Sequence, residues 1–308
     1  MSGELHSEEN FGIVVHGGAG VMSGLSEEKQ EVIQNKIRES VSQAYLILEE
    51  GGSSLDAVEL AVSILEDSPL FNAGRGSVYN SDEVQEMDAS IMDGKNRLTG
   101  AVASISIVKN PIKLARKVAE ETNHVLLVGE GAERFAKNIG IEIVDKEYFF
   151  HQERLQRALN SKKKTSKLNH NLNKIGTVGA VALDKNGNIS AATSTGGMTN
   201  KMPGRVGDSP IIGSGTWAQN GVCGVSSTGH GEYFIKYQVA REVCVRIEYL
   251  NQSLNDSSES IINELNDIGA SGGLIAIDHK GNISTPFNTK GMIRGSQTNK
   301  TRLKSEIY

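Results

Sequence analysis

The chain has 308 residues, 38% of them hydrophobic and 22% charged, which suffices for a sizeable core in one large domain or two. Its 32 basic and 37 acidic residues leave a net charge of −5, so there is no basic footprint for nucleic acid. No apolar run approaches the ~20 residues of a membrane helix, and the polar, acidic first ten residues lack the features of a signal peptide. These features predict a cytoplasmic protein, in which Cys223 and Cys244, far from any metal-type spacing, are expected as two reduced thiols.

In chain order, residues 11–15 read as a short buried strand that runs into a glycine-rich turn, His16-Gly17-Gly18-Ala19-Gly20. Ser26 opens a helix with Glu27 and Glu28 in its first turn and Val32, Ile33, Ile37, Val41, Ala44 and Leu48 at helical spacing. Gly51-Gly52 stop it, and Ser53 or Ser54 caps a second helix bearing Leu55, Val58, Ala61, Val62 and Leu65. Residues 101–108 alternate as a strand, Asn110-Pro111 starts a helix that ends near Thr122, and residues 131–139 suit a short helix. The segment 154–174 contains Arg154, Arg157, Lys162, Lys163, Lys164, Lys167 and Lys174 without one acid. It predicts a mobile, solvated linker, spanning about 151–175, with no aromatics to stack on bases.

The second half changes texture. Residues 182–190 and 276–284 repeat one hairpin pattern with glycine at the turn, which means antiparallel sheet and argues against a dinucleotide-binding fold. Residues 232–250 and 258–267 read as helices between them, so the fold class is α+β in layers. Residues 300–308 are expected as a loose tail.

The chemistry concentrates at Gly176-Thr177. Cleavage between them would leave Thr177 with a hydroxyl nucleophile and its own base, an α-amine that titrates near pH 7.7–8.0 in peptides. Gly176 has no Cβ to hinder approach of the Thr177 hydroxyl to the preceding carbonyl carbon, so an N→O acyl shift followed by hydrolysis of the ester would make the cut. Downstream, Arg205 and Asp208 form an opposite-charge pair among glycines. Arg205 suits a bidentate grip on an α-carboxylate, and Asp208, helped by the Gly231 carbonyl, suits an α-ammonium. His16 and His230 each sit beside a glycine turn and lack both catalytic-triad and metal spacing, so both read as structural.

Val14-Val15-His16-Gly17-Gly18-Ala19-Gly20, Pro69-Leu70-Phe71-Asn72-Ala73-Gly74-Arg75-Gly76, Glu86-Met87-Asp88-Ala89-Ser90, Thr177, Ser194-Thr195-Gly196-Gly197 and Ser227-Thr228-Gly229-His230-Gly231 occur in this order. Together with Pro286-Phe287-Asn288-Thr289-Lys290-Gly291-Met292 they make most of the chain resemble the plant-type L-asparaginases/isoaspartyl peptidases, which are N-terminal-nucleophile hydrolases. The resemblance implies a four-layer αββα sandwich, a single domain over 1–308 processed into 1–176 and 177–308, and assembly of two such αβ pairs into a heterotetramer. It implies that Thr195 orients the nucleophile, that Thr228 and Gly229 form the oxyanion hole, and that Asn72 helps hold substrate and threonine. It also implies a structural sodium ion on the main-chain carbonyls of Leu65, Glu66, Ser68, Phe71, Ala73 and Arg75, with no cofactor for the chemistry itself. Expected substrates are L-asparagine and β-aspartyl dipeptides. Glycosylasparaginase-type and taspase-like hydrolases, and an uncleaved binding protein, remain the alternatives.

Overall fold

The computed structural model describes residues 9–20, 24–163 and 176–308. Strand β1 (Gly12–Gly20) is buried along its whole length. The glycine run expected as a turn is the second half of this strand. Its register shifts between His16 and Gly18 against a later neighbour, a bulge that bends the backbone without ending it. Ser26 caps α1 (Glu27–Glu49) by accepting the Lys29 N–H, and Ser53 caps α2 (Ser54–Glu66) by accepting the Asp56 N–H. Between the helices Gly51, at φ +85°, supplies the left-handed stop.

A 3-10 turn (Gly74–Gly76) leads to β2 (Met87–Asp93) and β3 (Thr99–Ile105). There follow α3 (Pro111–Glu121), β4 (Leu126–Val128), α4 (Gly129–Asn138), α5 (Lys146–Phe149) and α6 (Gln152–Lys163). The second half holds β5 (Val178–Leu183), β6 (Ile189–Thr195), β7 (Thr216–Gln219), β8 (Cys223–Gly229), α7 (Gly231–Tyr237), α8 (Val239–Leu250) and α9 (Leu254–Asp267). It closes with β9 (Gly272–Asp278), β10 (Ile283–Ser284), β11 (Gly291–Thr298) and β12 (Thr301–Glu306).

Eight strands form one sheet in the order β12-β11-β1-β5-β6-β2-β3-β4, and four form a second in the order β10-β9-β8-β7. All pairings are antiparallel except β3–β4. Strands β1, β5 and β6 meet β8 and β9 of the second sheet, α1 and α2 pack on the first sheet, and α8 and α9 pack on the second. Alternation along the strands feeds both sides. Ile13 and Val15 of β1 and Ala180 and Ala182 of β5 join the helices, whereas Val14, Val181 and Leu183 join the second sheet. The two predicted hairpins are present and built alike. Asp184 accepts the N–H groups of Asn186 and Asn188, Asp278 those of Lys280 and Asn282, and Gly187 and Gly281 take positive φ.

Several expectations need correcting. The helix expected over 232–250 breaks at Gln238, which adopts a left-handed φ of +52°. The one expected from 258 starts at Leu254 behind a Ser253 cap. The first part of the expected linker is α6, docked by Arg154; residues 164–175 lie outside the described residues. Cys223 and Cys244 form a disulfide, because α8 lies over β8 and sets their Cα atoms 5.6 Å apart, a separation such a bond spans.

The expected tail is an edge strand. Its exposed Thr, Lys and Glu hide the signal, as charged edges do, but β12 pairs with β11 and the Ile307 carbonyl accepts the Met292 N–H at 2.8 Å. With its side chain 2% exposed, Ile307→Ala should cost about 2–5 kcal/mol. A lower denaturant midpoint at constant slope would show it; an unshifted midpoint would restore the loose tail.

Candidate active site

Gly176 and Thr177 enter β5, which is held between β1 and β6. The register sets His16 beside Gly179 and Val178 beside Ser194, so Thr177 comes out next to the end of β6. There its Oγ1 donates to Thr195 Oγ1 at 3.0 Å, and Thr195 Oγ1 also accepts the Gly197 N–H at 3.0 Å. Thr177 is nearly buried, at 9% exposure.

Gly176 is gripped from two sides. Gly18, at φ +104° in the β1 bulge, lies so close that any Cβ on it would overlap the Gly176 backbone. A Cβ on Gly176 would in turn stand 2.9 Å from Thr228 Oγ1. Thr228 Oγ1 itself accepts the Ala19 N–H at 3.3 Å. The end of β8, carrying Thr228 and Gly229, thus meets the Gly176 peptide. Composition marks Gly18 only as a turn residue; the positive φ needed for this approach becomes visible only once β1 and β5 are paired.

Two residues beyond Gly229, Gly231 brings the charged pair together. A Cβ there would lie 2.9 Å from Arg205 Nη2 and 3.0 Å from Asp208 Oδ1. Glu232 holds the arginine, accepting from Arg205 Nε at 2.9 Å. Nothing near Glu232 in the chain singles it out, since its partner is 27 residues away. Arg205 Nη2 and Asp208 Oδ2 are both buried without a hydrogen-bond partner among the described residues, although Nη2 lies 2.9 Å from Glu232 Oε1. Burial pushes the Asp208 carboxyl up to about 7, with Arg205 pulling it back only in part. A guanidinium held on one side by Glu232, beside a carboxylate oxygen without a donor, is an arrangement that a zwitterionic ligand would complete.

Asn72 is not seen against Thr177 itself. Its carbonyl accepts the Gly196 N–H at 3.0 Å, its Nδ2 donates to the Gly197 carbonyl at 2.7 Å, and its Oδ1 accepts the Val78 N–H at 3.0 Å. It therefore braces the turn that carries Thr195. Behind the same turn, Glu66 accepts from Ser194 Oγ at 2.6 Å and from the Ile112 N–H at 3.0 Å, and burial pushes its carboxyl up to about 8.

Of the carbonyls expected around a cation, that of Leu65 accepts the Ser68 N–H, that of Ala73 the Gly76 N–H, and that of Phe71 the Arg154 guanidinium. The Glu66 and Phe71 carbonyls lie against Gly74 and Gly76, where a Cβ would overlap them. A carbonyl has two lone pairs, so these oxygens can still take a hard cation, and the glycines leave the cradle open.

Beneath Thr177 runs a buried hydroxyl chain. His16 Nε2 lies 3.0 Å from Ser226 Oγ, which meets Thr193, then Thr216 and Ser90. Burial pulls the His16 pKa down to about 3, with the Thr177 backbone acting the other way, so the ring is neutral.

An asparaginase family model matches residues 9–306. The chain is 46% identical to an isoaspartyl peptidase of Escherichia coli strain K12, over 92% of this chain and 91% of that protein. It is 45% identical to an isoaspartyl peptidase/L-asparaginase of Xenopus laevis, over 91% and 90%. A Mus musculus protein of the same description is 44% identical, over 91% and 86%. The chain belongs to the asparaginase family and is a hydrolase. Among the described residues, no helix is long and apolar enough to cross a membrane.

The neutral His16 makes a prediction about acid stability. Its folded pKa of about 3 lies below the ordinary 6.5, so the stability tied to it is complete above pH 6.5 and is lost as pH falls toward 3. Each pH unit in that window removes up to ~1.4 kcal/mol. Chemical denaturation across this range should give a steeper decline for the parent protein than for His16→Asn. Parallel curves would show that another group controls the acid limb.

Proposed function

We propose that the protein cleaves itself between Gly176 and Thr177 and then hydrolyses L-asparagine and β-aspartyl dipeptides. The observation that carries this is Thr177 Oγ1 held by Thr195 directly behind Gly176, a residue packed on Thr228. In self-cleavage the Thr177 hydroxyl attacks the Gly176 carbonyl carbon. The C–N bond breaks, the amine takes a proton, and water hydrolyses the resulting ester. In turnover the freed α-amine accepts the hydroxyl proton as Oγ1 attacks the side-chain carbonyl of the substrate. Ammonia or an amino acid leaves with a proton, and water releases aspartate from the acyl-enzyme.

Thr228 Oγ1 and the Gly229 N–H act on the developing oxyanion, the usual largest contribution in acyl transfer. Arg205 takes the α-carboxylate of the substrate and Asp208 its α-ammonium, with the Gly231 carbonyl beside them. Two facing sheets with helices outside both support the αββα sandwich of N-terminal-nucleophile hydrolases, formed by 1–176 and 177–308 together, and the family resemblance suggests pairing of two such units. The open carbonyl cradle at Leu65, Glu66, Ser68, Phe71, Ala73 and Arg75 suits a sodium ion, which would supply fixed positive charge to the loop carrying Asn72 and take no part in bond making.

Thr177→Ala should remain one chain on a denaturing gel and lose hydrolysis, while the parent yields fragments 1–176 and 177–308. A fragment starting at residue 177 in the variant would exclude self-attack. The pH dependence separates base from clamp. The kcat should fall below pH 7.7–8.0 as the α-amine gains its proton. The KM should rise as pH falls through about 7, because protonated Asp208 no longer attracts the ammonium. Asp208→Asn should raise KM and flatten its pH dependence while the kcat profile stays; a KM profile unchanged by that substitution would assign the ammonium to another group.

For the cation, the melting temperature should increase with sodium concentration relative to a bulky organic cation at equal ionic strength, since binding to the folded state alone stabilises it. Coincident melting curves, together with crystals lacking an ion in the cradle, would remove sodium.

A further inference from the structure

Arg154 of α6 is 7% exposed, and among the described residues no carboxylate lies within ion-pair distance of it. A guanidinium is charged at neutral pH. Its Nη2 instead donates to three successive carbonyls, those of Pro69 at 3.2 Å, Leu70 at 3.3 Å and Phe71 at 3.1 Å. A buried cation needs dipoles in place of lost water, and here one loop provides them. Reciprocally, three carbonyls that would repel one another when aimed at one point are gathered by the charge.

The next residue in that loop is Asn72. Its carbonyl and side chain hold Gly196 and Gly197. Gly197 donates to Thr195 Oγ1, and Thr195 Oγ1 receives the Thr177 hydroxyl. Every link in this series is a hydrogen bond or a covalent neighbour. We propose that Arg154 is a positioning residue. Its guanidinium fixes the loop 69–71, and through Asn72 it sets the turn that aims Thr195 at the nucleophile. The consequence for catalysis rests on Thr177 being that nucleophile. It also gives α6, which precedes the scissile peptide in the chain, a lasting role in the processed enzyme.

The helix has other anchors, so loss of the arginine need not release it. The His151 N–H meets Tyr79 Oη at 3.2 Å, Lys162 pairs with Glu83 at 3.0 Å, and Ala158 is buried. The test compares Arg154→Ala and Arg154→Lys with the parent, using a β-aspartyl dipeptide, melting curves and amide hydrogen exchange. In Arg154→Ala, kcat should fall roughly tenfold or more, as small misplacements at a reacting centre do. The KM should stay within about twofold, because Arg205 and Asp208 are untouched. Guanidinium ion well below denaturing concentrations should restore part of kcat, and urea at the same concentration should not. Arg154→Lys, with a compact charge in place of the fork, should fall between. The amides of Val78, Gly196 and Gly197 should exchange faster in Arg154→Ala.

A lowered melting temperature with kcat unchanged would overturn the proposal, as would equal effects of guanidinium and urea. Unchanged exchange at Gly196 and Gly197 would also overturn it, and needs no activity to be read. A parent protein that is neither self-cleaved nor hydrolytic would instead refute Thr177 as nucleophile, with amide exchange still deciding whether Arg154 holds the Asn72 turn.

Discussion

Gly18 and Gly176 meet backbone to backbone, and the site exists only because neither carries a side chain. Gly18 takes a φ of +104° in the β1 bulge, and a Cβ there would overlap the Gly176 peptide. The bulge is possible because β1 stays paired with β11 before and after it, so a local irregularity does not unravel the strand. With Gly176 seated, Thr177 emerges beside Thr195 on one flank, and Thr228 of the other sheet lies on Gly176 itself. Two sheets therefore converge on a single peptide bond. The glycines act as absences that let three backbone segments approach.

The second constraint is electrostatic. The interior keeps charges that are only partly answered. Arg205 is steadied by Glu232, whereas among the described residues Asp208 retains an oxygen without a donor. Leaving buried polar atoms unpaired destabilises a fold, and departures of this kind collect where a ligand completes the set. The raised Asp208 carboxyl follows from the same burial. Arg154 is the contrasting case, a buried charge whose Nη2 is met by three carbonyl dipoles, which makes it a brace for the loop it touches. Glu66 behind the turn is a third case, a carboxyl that burial pushes up to about 8 and that accepts from Ser194 and Ile112.

Local chemistry made much of this legible in advance. The Ser26 and Ser53 caps, the Gly51 stop, the helical stripe of α1 and the two glycine hairpins depend on neighbours within a few residues, and the structure has each of them. Errors arose where distant partners decide. The run from His16 to Gly20 looks like a turn by composition but is a strand because β11 pairs with it to its end. The last residues look like a tail but pair with β11 and bury Ile307. Arg154 looks like one more linker charge, and only the fold brings three carbonyls to it.

By itself, then, the sequence determined which groups are candidates for the chemistry. Gly176-Thr177 and the Arg205/Asp208 pair stand out because a residue's chemistry and its immediate neighbours are written in the chain, and the family resemblance adds the threonines at 195 and 228. Tertiary structure alone decided which of these groups touch and what supports them: Gly18 under Gly176, Glu232 on Arg205, Asn72 behind Thr195, the Cys223–Cys244 bond, and Arg154 on the 69–71 carbonyls. Such contacts join residues far apart in the chain. They depend on strand register and on space left by missing Cβ atoms, and neither has a local signature in sequence.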